Sequence, residues 1–478
     1  MKNKLLLFLI VAVFAVACKK QDFTPLNSNT IVNNPKKSNS ARDGIWDLLG
    51  YGYNITGAYA QSYSAGGQVL DIARFKADYP DRVLTDLSQS QTAEITTGTD
   101  ALDYIKKISN NFSLGASDSA ATFKATIKAA FKDSSSFSSK YAYSSYDLTI
   151  KEKRLTLNSP IDLMKSYANA TFLTDVQNQS PAYIVSHYGT HVLTDIFLGA
   201  KLSVLYQSAT TSSNRYNSSQ AGLSFGIKTI FSIDASLNTT TSELSKIYSS
   251  KMHYETRGGD ASKSLIGDID LNTSNTPTVN ISNWQSSATV QNAELIDIGT
   301  SGLVELSQFV SDPTKAQALH DYIVQYLINN RASLLPAPIY GYYRAVDNKH
   351  ILSSDPNYTA ISPNWRNTGV GFYAYTVQYG GTVPVYQYSN PNTGDHFYAT
   401  NPNAVTPTSW VGYQRDGITF YGYPSVQQST IPCYIFYSEN QHDHIYSPNP
   451  NVTAGYPAGW VSHGIGFYVF PVPAGGIY

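Results

Sequence analysis

At 478 residues the chain exceeds one ordinary core, so two or three domains are expected. Charged residues make up only 14%, against roughly 25% in soluble proteins, and Tyr alone supplies 37 residues, which suits a β-rich extracellular protein better than a cytosolic enzyme. A net charge of −1 and the lack of a dense Lys/Arg run offer no field for a nucleic-acid partner.

The chain opens with Met1-Lys2-Asn3-Lys4, a short basic head, followed by an apolar run from Leu5 to Ala17. That run is too short to span a bilayer and has the form of an export signal, residues 1–17. It ends in Ala15-Val16-Ala17-Cys18, which resembles the lipobox of bacterial lipoproteins, with Ala15 where that motif has Leu. The resemblance implies acylation of Cys18 and an exported chain anchored by lipid at the outer membrane or cell surface. Cys433 is the other cysteine, so no disulfide framework competes for Cys18. Later in the chain no run approaches the ~18 apolar residues of a membrane helix, so any action on a membrane falls to strands or surface helices. Residues 18–43 are rich in Asn and Ser and read as a disordered tether.

Folded sequence begins at Gly44, and a first domain is expected over 44–334. Gly50-Tyr51-Gly52-Tyr53-Asn54-Ile55-Thr56-Gly57 is a glycine-rich opening strand. In 121–132 Phe123, Ala125, Ile127, Ala129 and Phe131 alternate with Lys124, Thr126, Lys128 and Lys132. The same period of two runs through 221–237, with Leu223, Phe225, Ile227, Phe231 and Ile233 on one face and Lys228 on the other. This is the pattern of a strand between lipid and water, and a half-buried soluble sheet shows it too. Lysines on the second face suit a pore lumen, since on the lipid face each would cost ~2–4 kcal/mol at the midplane.

Between the two runs lies PAYIVSHYGTHVLTDIFLGAKL, residues 181–202, containing Tyr188, Gly189, Thr190, His191 and, after Val192 and six further residues, Gly199. Here the chain resembles the membrane-attack-complex/perforin family, with Ala200 in place of the second glycine of the signature. Tyr254-Glu255-Thr256-Arg257-Gly258-Gly259-Asp260 resembles the end of that family's last long strand, with Gly258 and Gly259 as hinge. Trp284 to Leu327 resembles its closing helical region. The resemblance implies an α+β domain with a bent, twisted, antiparallel four-stranded sheet and two flanking helical clusters. It implies that both clusters are helical in the soluble state and unfurl into β-hairpins on insertion. Phe123, Ile127, Phe131, Leu223, Phe225, Ile227, Phe231 and Ile233 are then the membrane-inserting candidates. Tyr188, Gly189, Thr190, His191 and Gly199 are given structural roles, and no catalytic residue is assigned.

Leu335-Pro336-Ala337-Pro338 marks a boundary, and 335–478 is a three-fold repeat. His350, His396 and His444 recur 46 and 48 residues apart (350 to 396, 396 to 444), and Trp365, Trp410 and Trp460 recur in step. Short aromatic strands between Asn, Pro and Gly turns predict an all-β domain of pseudo-three-fold form, a β-trefoil or a three-sided β-prism. The repeats resemble the HFYT-type modules of bacterial secreted proteins. Recurrent aromatics beside Asn, Asp and His suit stacking on sugar rings, so Trp365, Trp410, Trp460, His396 and His444 are the ligand-binding candidates. His442-Asp443-His444 offers two metal ligands without a third, so neither a metal nor a cofactor is expected. The chain is expected to be no enzyme but a pore former that binds target membrane lipids, with a surface glycan or receptor held by the C-terminal domain. It would assemble a homo-oligomeric ring and insert hairpins as an antibacterial or host-directed toxin. The competing reading is a non-lytic adhesin or glycan-binding lipoprotein of the same fold.

Overall fold

The computed structural model describes residues 43–474, apart from 111, 113, 115–120, 235–240 and 274–275. The export signal, Cys18, the tether up to 42 and residues 235–237 of the second alternating run lie outside the described residues.

Four long antiparallel strands organise the first part of the chain: Ser90–Gly98, Tyr141–Leu157, Asp195–Thr210 and Ile247–Arg257, side by side in that order. The sheet is wider than the expected four strands. Val83–Asp86 extends the pairing of the second strand, Glu294–Ile298 joins the third, and Ile266–Asp270 lies along the outer edge of the fourth. Strand alternation gives this sheet two unlike faces. Tyr146, Leu148, Leu202, Val204, Tyr206 and Met252 form an apolar face, covered by helix Arg215–Phe231. Glu94, Asp147, Lys201, Ser203 and Glu255 line the opposite face. Further along, helices Ala101–Ser109 and Ala125–Ala130 pack in the same apolar cluster as Tyr141, Tyr143 and Leu205. Each helical segment links two long strands, 99–140 joining the first to the second and 211–246 the third to the fourth.

A second, small sheet is ordered Leu303–Glu305, His191–Leu193, Tyr51–Tyr53, Ala65–Gln68. Its core includes Ile184, Val185 and Tyr188 of helix Pro181–Tyr188, and Leu319, Ile323 and Leu327 of helix Pro313–Asn329. Those last three recur every four residues and so share one helix face. Asp312 caps that helix by accepting from the amides of Thr314 and Lys315, and Pro313 fills the first helical position, where no amide is needed.

Beyond Leu335 each repeat folds into its own three-stranded sheet with its first strand in the centre: Ala337–Arg344, Lys349–Ser353 and Arg366–Ala374; Val383–Ser389, His396–Ala399 and Gln414–Gly422; Ile431–Ser438, Asp443–Ser447 and Trp460–Val469. One cross-strand pair per repeat meets at the centre: Ile339 with Phe372, Val385 with Phe420, Cys433 with Phe467. The three Phe rings form a triangle of 5.4, 5.4 and 6.4 Å, and all six side chains are buried. The bridges Tyr373–Phe470, Tyr375–Tyr421 and Tyr423–Tyr468 tie the sheets into a ring.

Candidate membrane-inserting segments and their restraints

The signature residues fill the junction between helix Pro181–Tyr188 and the small sheet. Gly189 caps the helix at φ +85°, and a Cβ there would lie 2.5 Å from the Tyr53 carbonyl carbon. Thr190 donates its amide to the Tyr53 carbonyl at 3.0 Å and accepts from the Ile55 amide through Oγ1 at 3.2 Å. His191 is buried with Nδ1 3.0 Å from Thr190 Oγ1. Tyr188 donates to Asp175 Oδ2 at 2.6 Å. Across the junction Gly52 belongs to the opening strand, where a Cβ would sit 1.8 Å from the Tyr188 carbonyl oxygen.

Gly199 lies in the third long strand opposite a bulge that leaves Glu152 of the second strand unpaired, and bulges bend strands. A Cβ at Gly199 would meet the Ile150 carbonyl oxygen at 1.9 Å, while Ala200 is accommodated with its side chain buried in the apolar face. Gly258 and Gly259 follow the fourth strand at φ +64° and +73°. Gly258 lies against the Gly199 carbonyl, and its own carbonyl accepts from Trp284 Nε1 at 2.9 Å.

Each alternating run holds a helix and no strand among its described residues: Ala125–Ala130 in the first, and the C-terminal part of Arg215–Phe231 in the second. In 121–131 Phe123, Ile127 and Phe131 are buried, Phe123 against Tyr59 at 4.8 Å. In helix Arg215–Phe231 the buried large apolar side chains are Leu223, Ile227, Ile230 and Phe231, a helical spacing. Ile233 is half-buried beside them. Phe225 is 50% exposed: it belongs to the apolar face of a strand but to the solvent face of this helix. The alternation therefore does not describe the fold of this segment, whose sequence satisfies both periods.

Arg215, at the start of the second cluster's helix, ties the two clusters together. It donates Nε to the Thr99 carbonyl at 2.8 Å and Nη2 to the Ser139 carbonyl at 2.9 Å, gripping the first cluster at both ends. Buried Ser144 of the second long strand and buried Ser219 of that helix face each other with their hydroxyls 2.8 Å apart. The C-terminal domain reaches the same place: Thr376 donates Oγ1 to the Ser139 carbonyl at 2.5 Å, and its amide donates to Ser139 Oγ at 3.2 Å. Tyr375 packs in one apolar cluster with Ile127 and Phe131. These restraints were not legible in the sequence, because each joins residues more than 70 positions apart.

The polar face of the large sheet bounds a cleft of about 470 Å³ under the first cluster. Lys201 bridges to Asp147 at 3.3 Å there, and Arg257 donates to the Ala60 carbonyl.

Two ligand-binding candidates of the C-terminal domain are displaced from that role. Trp365 is buried with the Arg344 guanidinium 4.5 Å over its ring, so no face is free. His444 is 2% exposed, and its Nδ1 lies 2.6 Å from Asp395 Oδ2. Trp410, Trp460 and His396 are half-buried. Among the described residues no group of three His, Cys, Asp or Glu is placed to hold a metal, and no helix is long and apolar enough to cross a membrane.

Helical clusters inserted between paired long strands, with a Gly-Thr-His junction at the sheet's base, define the architecture of a known domain. Residues 37–335 match the MAC/Perforin domain, and the chain belongs to that family. Residues 338–470 match a domain of unknown function, DUF5648. Among solved structures, a MAC/Perforin-domain protein from Bacteroides thetaiotaomicron VPI-5482 is 18% identical with a TM-score of 0.48, covering 75% of this chain and 70% of that one. GNIP1Aa from Chromobacterium piscinae is 13% identical with a TM-score of 0.47, covering 89% and 81%. No curated protein matches the chain.

Proposed function

We propose that the protein is an exported, lipid-anchored pore former. Its C-terminal domain docks it on a target surface, copies assemble into a ring, and segments 99–140 and 211–246 unfold into hairpins that close a β-barrel. Each segment is longer than the ~20 residues that two membrane-crossing strands need. Closure by many copies is required because a lone hairpin would leave its edge groups unpaired in lipid. The first long strand pairs on one side alone among the described strands, which supports edge-to-edge growth of the sheet. The fourth strand is partly covered by Ile266–Asp270, which would have to move. The keeping of each repeat's strands in its own sheet supports a three-sided prism over a trefoil.

The observation that carries this reading is Phe225, an apolar side chain left in water by the helix yet placed on the lipid face by the strand period. Phe225→Asp is expected to leave the thermal melt within about 0.5 kcal/mol of wild type. It should abolish dye release from vesicles of target-cell lipid. A variant that binds these vesicles and releases dye at the wild-type rate would remove this segment from the barrel. Wild-type binding without release would favour the non-lytic adhesin.

A further inference from the structure

Each junction between repeats in the C-terminal ring sets the Trp of one repeat against the His of the next. The ring centroids are 6.0 Å apart for Trp365 and His396, 5.1 Å for Trp410 and His444, and 6.4 Å for Trp460 and His350. The first two junctions are occupied by the chain itself. Arg344, held by Asp347 at 2.8 and 2.7 Å, lies on Trp365. Phe397, Tyr413 and Tyr437 pack around Trp410, and Tyr413 donates to Asp395 at 2.5 Å.

The third junction instead holds a cleft of about 480 Å³, within the range of small-ligand sites. Trp460, Tyr456, Tyr343 and His350 supply its aromatic walls, with Tyr456 43% exposed. His350 is held in place: Nδ1 lies 2.6 Å from Asp443 Oδ2, which turns Nε2, on the other side of the ring, away from that carboxylate. Tyr343 braces the ring at 5.0 Å.

Charge distinguishes this cleft as well. Arg366 lines it, and among the described residues no carboxylate does. Asp443 is fully buried and bonded to His350. Where the second and third repeats carry Asp395 and Asp443 before the recurrent His, the first carries Lys349. Its buried Nζ is held by the carbonyls of Gln441 at 2.5 Å and His442 at 2.9 Å, and no carboxylate among the described residues lies within ion-pair distance of it. Asp395 and Asp443 each hold the His of the following repeat, so the position of Lys349 corresponds to the first junction, and the positive charge lining the open cleft is that of Arg366.

We propose that this cleft, one per molecule, binds a sugar ring bearing an acidic substituent, stacked on the aromatic walls with its carboxylate or sulfate on Arg366. This deepens the reading of the domain as the docking part and rests on it. The test is binding of the full-length protein to an array of matched neutral, carboxylated (galacturonate, glucuronate, sialic acid) and sulfated oligosaccharides. Wild type should bind acidic members at least tenfold more tightly than neutral ones. Arg366→Gln, at an exposed position, should lose that preference by about tenfold or more, and Trp460→Ala should lose binding while Trp410→Ala keeps it. Equal binding of neutral and acidic sugars, no binding to the array, or loss with Trp410→Ala but not Trp460→Ala would overturn the proposal. Binding to phosphatidylserine vesicles that Trp460→Ala abolishes, without array binding, would also overturn it in favour of a lipid headgroup. Target cells measured alongside separate the two levels. If Trp460→Ala and Arg366→Gln bind them as wild type does, the cleft assignment fails and docking stands; if wild type does not bind them, docking itself fails.

Discussion

Gly189 shows how a single missing Cβ holds the base of the sheet. At φ +85° an L side chain is strained, and the methyl of Gly189→Ala would also meet Tyr53 at 2.5 Å. The variant is expected to lose about 2–4 kcal/mol, read from denaturant unfolding; a loss below about 0.5 kcal/mol would show that the junction relaxes freely. Asp395 gives a second test. Burial raises its carboxyl, but the hydrogen bond and charge of His444, the Tyr413 hydroxyl and the His444 amide together hold it below the ordinary 3.8. A lowered folded pKa means stabilisation present above about pH 4 and lost as pH falls through the folded value. Wild type should therefore lose stability as pH falls below about 4 more steeply than Asp395→Asn, measured by melts of Trp fluorescence; parallel acid limbs would contradict this. That His444 is buried could not be read from the repeat alone. Recurrence marks equivalent positions, and three equivalent positions here have three different surroundings.

Among the elements, the helical clusters carry the information most easily misread. The period of two in 221–233 is visible, and so is the helical spacing of Leu223, Ile227, Ile230 and Phe231. Which period the folded chain obeys depends on the apolar sheet face that receives the helix, and the strands forming that face come from distant parts of the sequence. The two glycines at the end of the fourth strand were legible for the opposite reason: Gly258 and Gly259 are adjacent, and their need for positive φ is local. The link between the clusters was not, because Arg215 reaches main-chain carbonyls. Arg215→Ala is expected to cost about 3 kcal/mol. It should also raise proteolytic cleavage within 99–140 and speed dye release from vesicles. Slower release than wild type at equal binding would show that Arg215 is needed for insertion and is no restraint on it.

For the whole molecule, three parts meet at Ser139. The first cluster, the second cluster through Arg215 and the C-terminal domain through Thr376 all hold this residue's neighbourhood. Under the proposed function, docking of the C-terminal domain and release of both clusters would be mechanically linked, and a lone receptor-binding tail on a flexible linker would lack that link. The family and the two-part organisation follow from motifs in the sequence, while this linkage needs the folded chain. The claim that the second cluster must leave the sheet for a pore to form is tested by Ser144→Cys/Ser219→Cys. The native hydroxyls lie 2.8 Å apart, near enough for a disulfide, and Cys433 is buried away from it. The oxidised double variant should bind vesicles of target-cell lipid at the wild-type level and release no dye, and reductant should restore release. Full release while the bond is intact would show that the helix stays on the sheet during permeabilisation and would contradict the account.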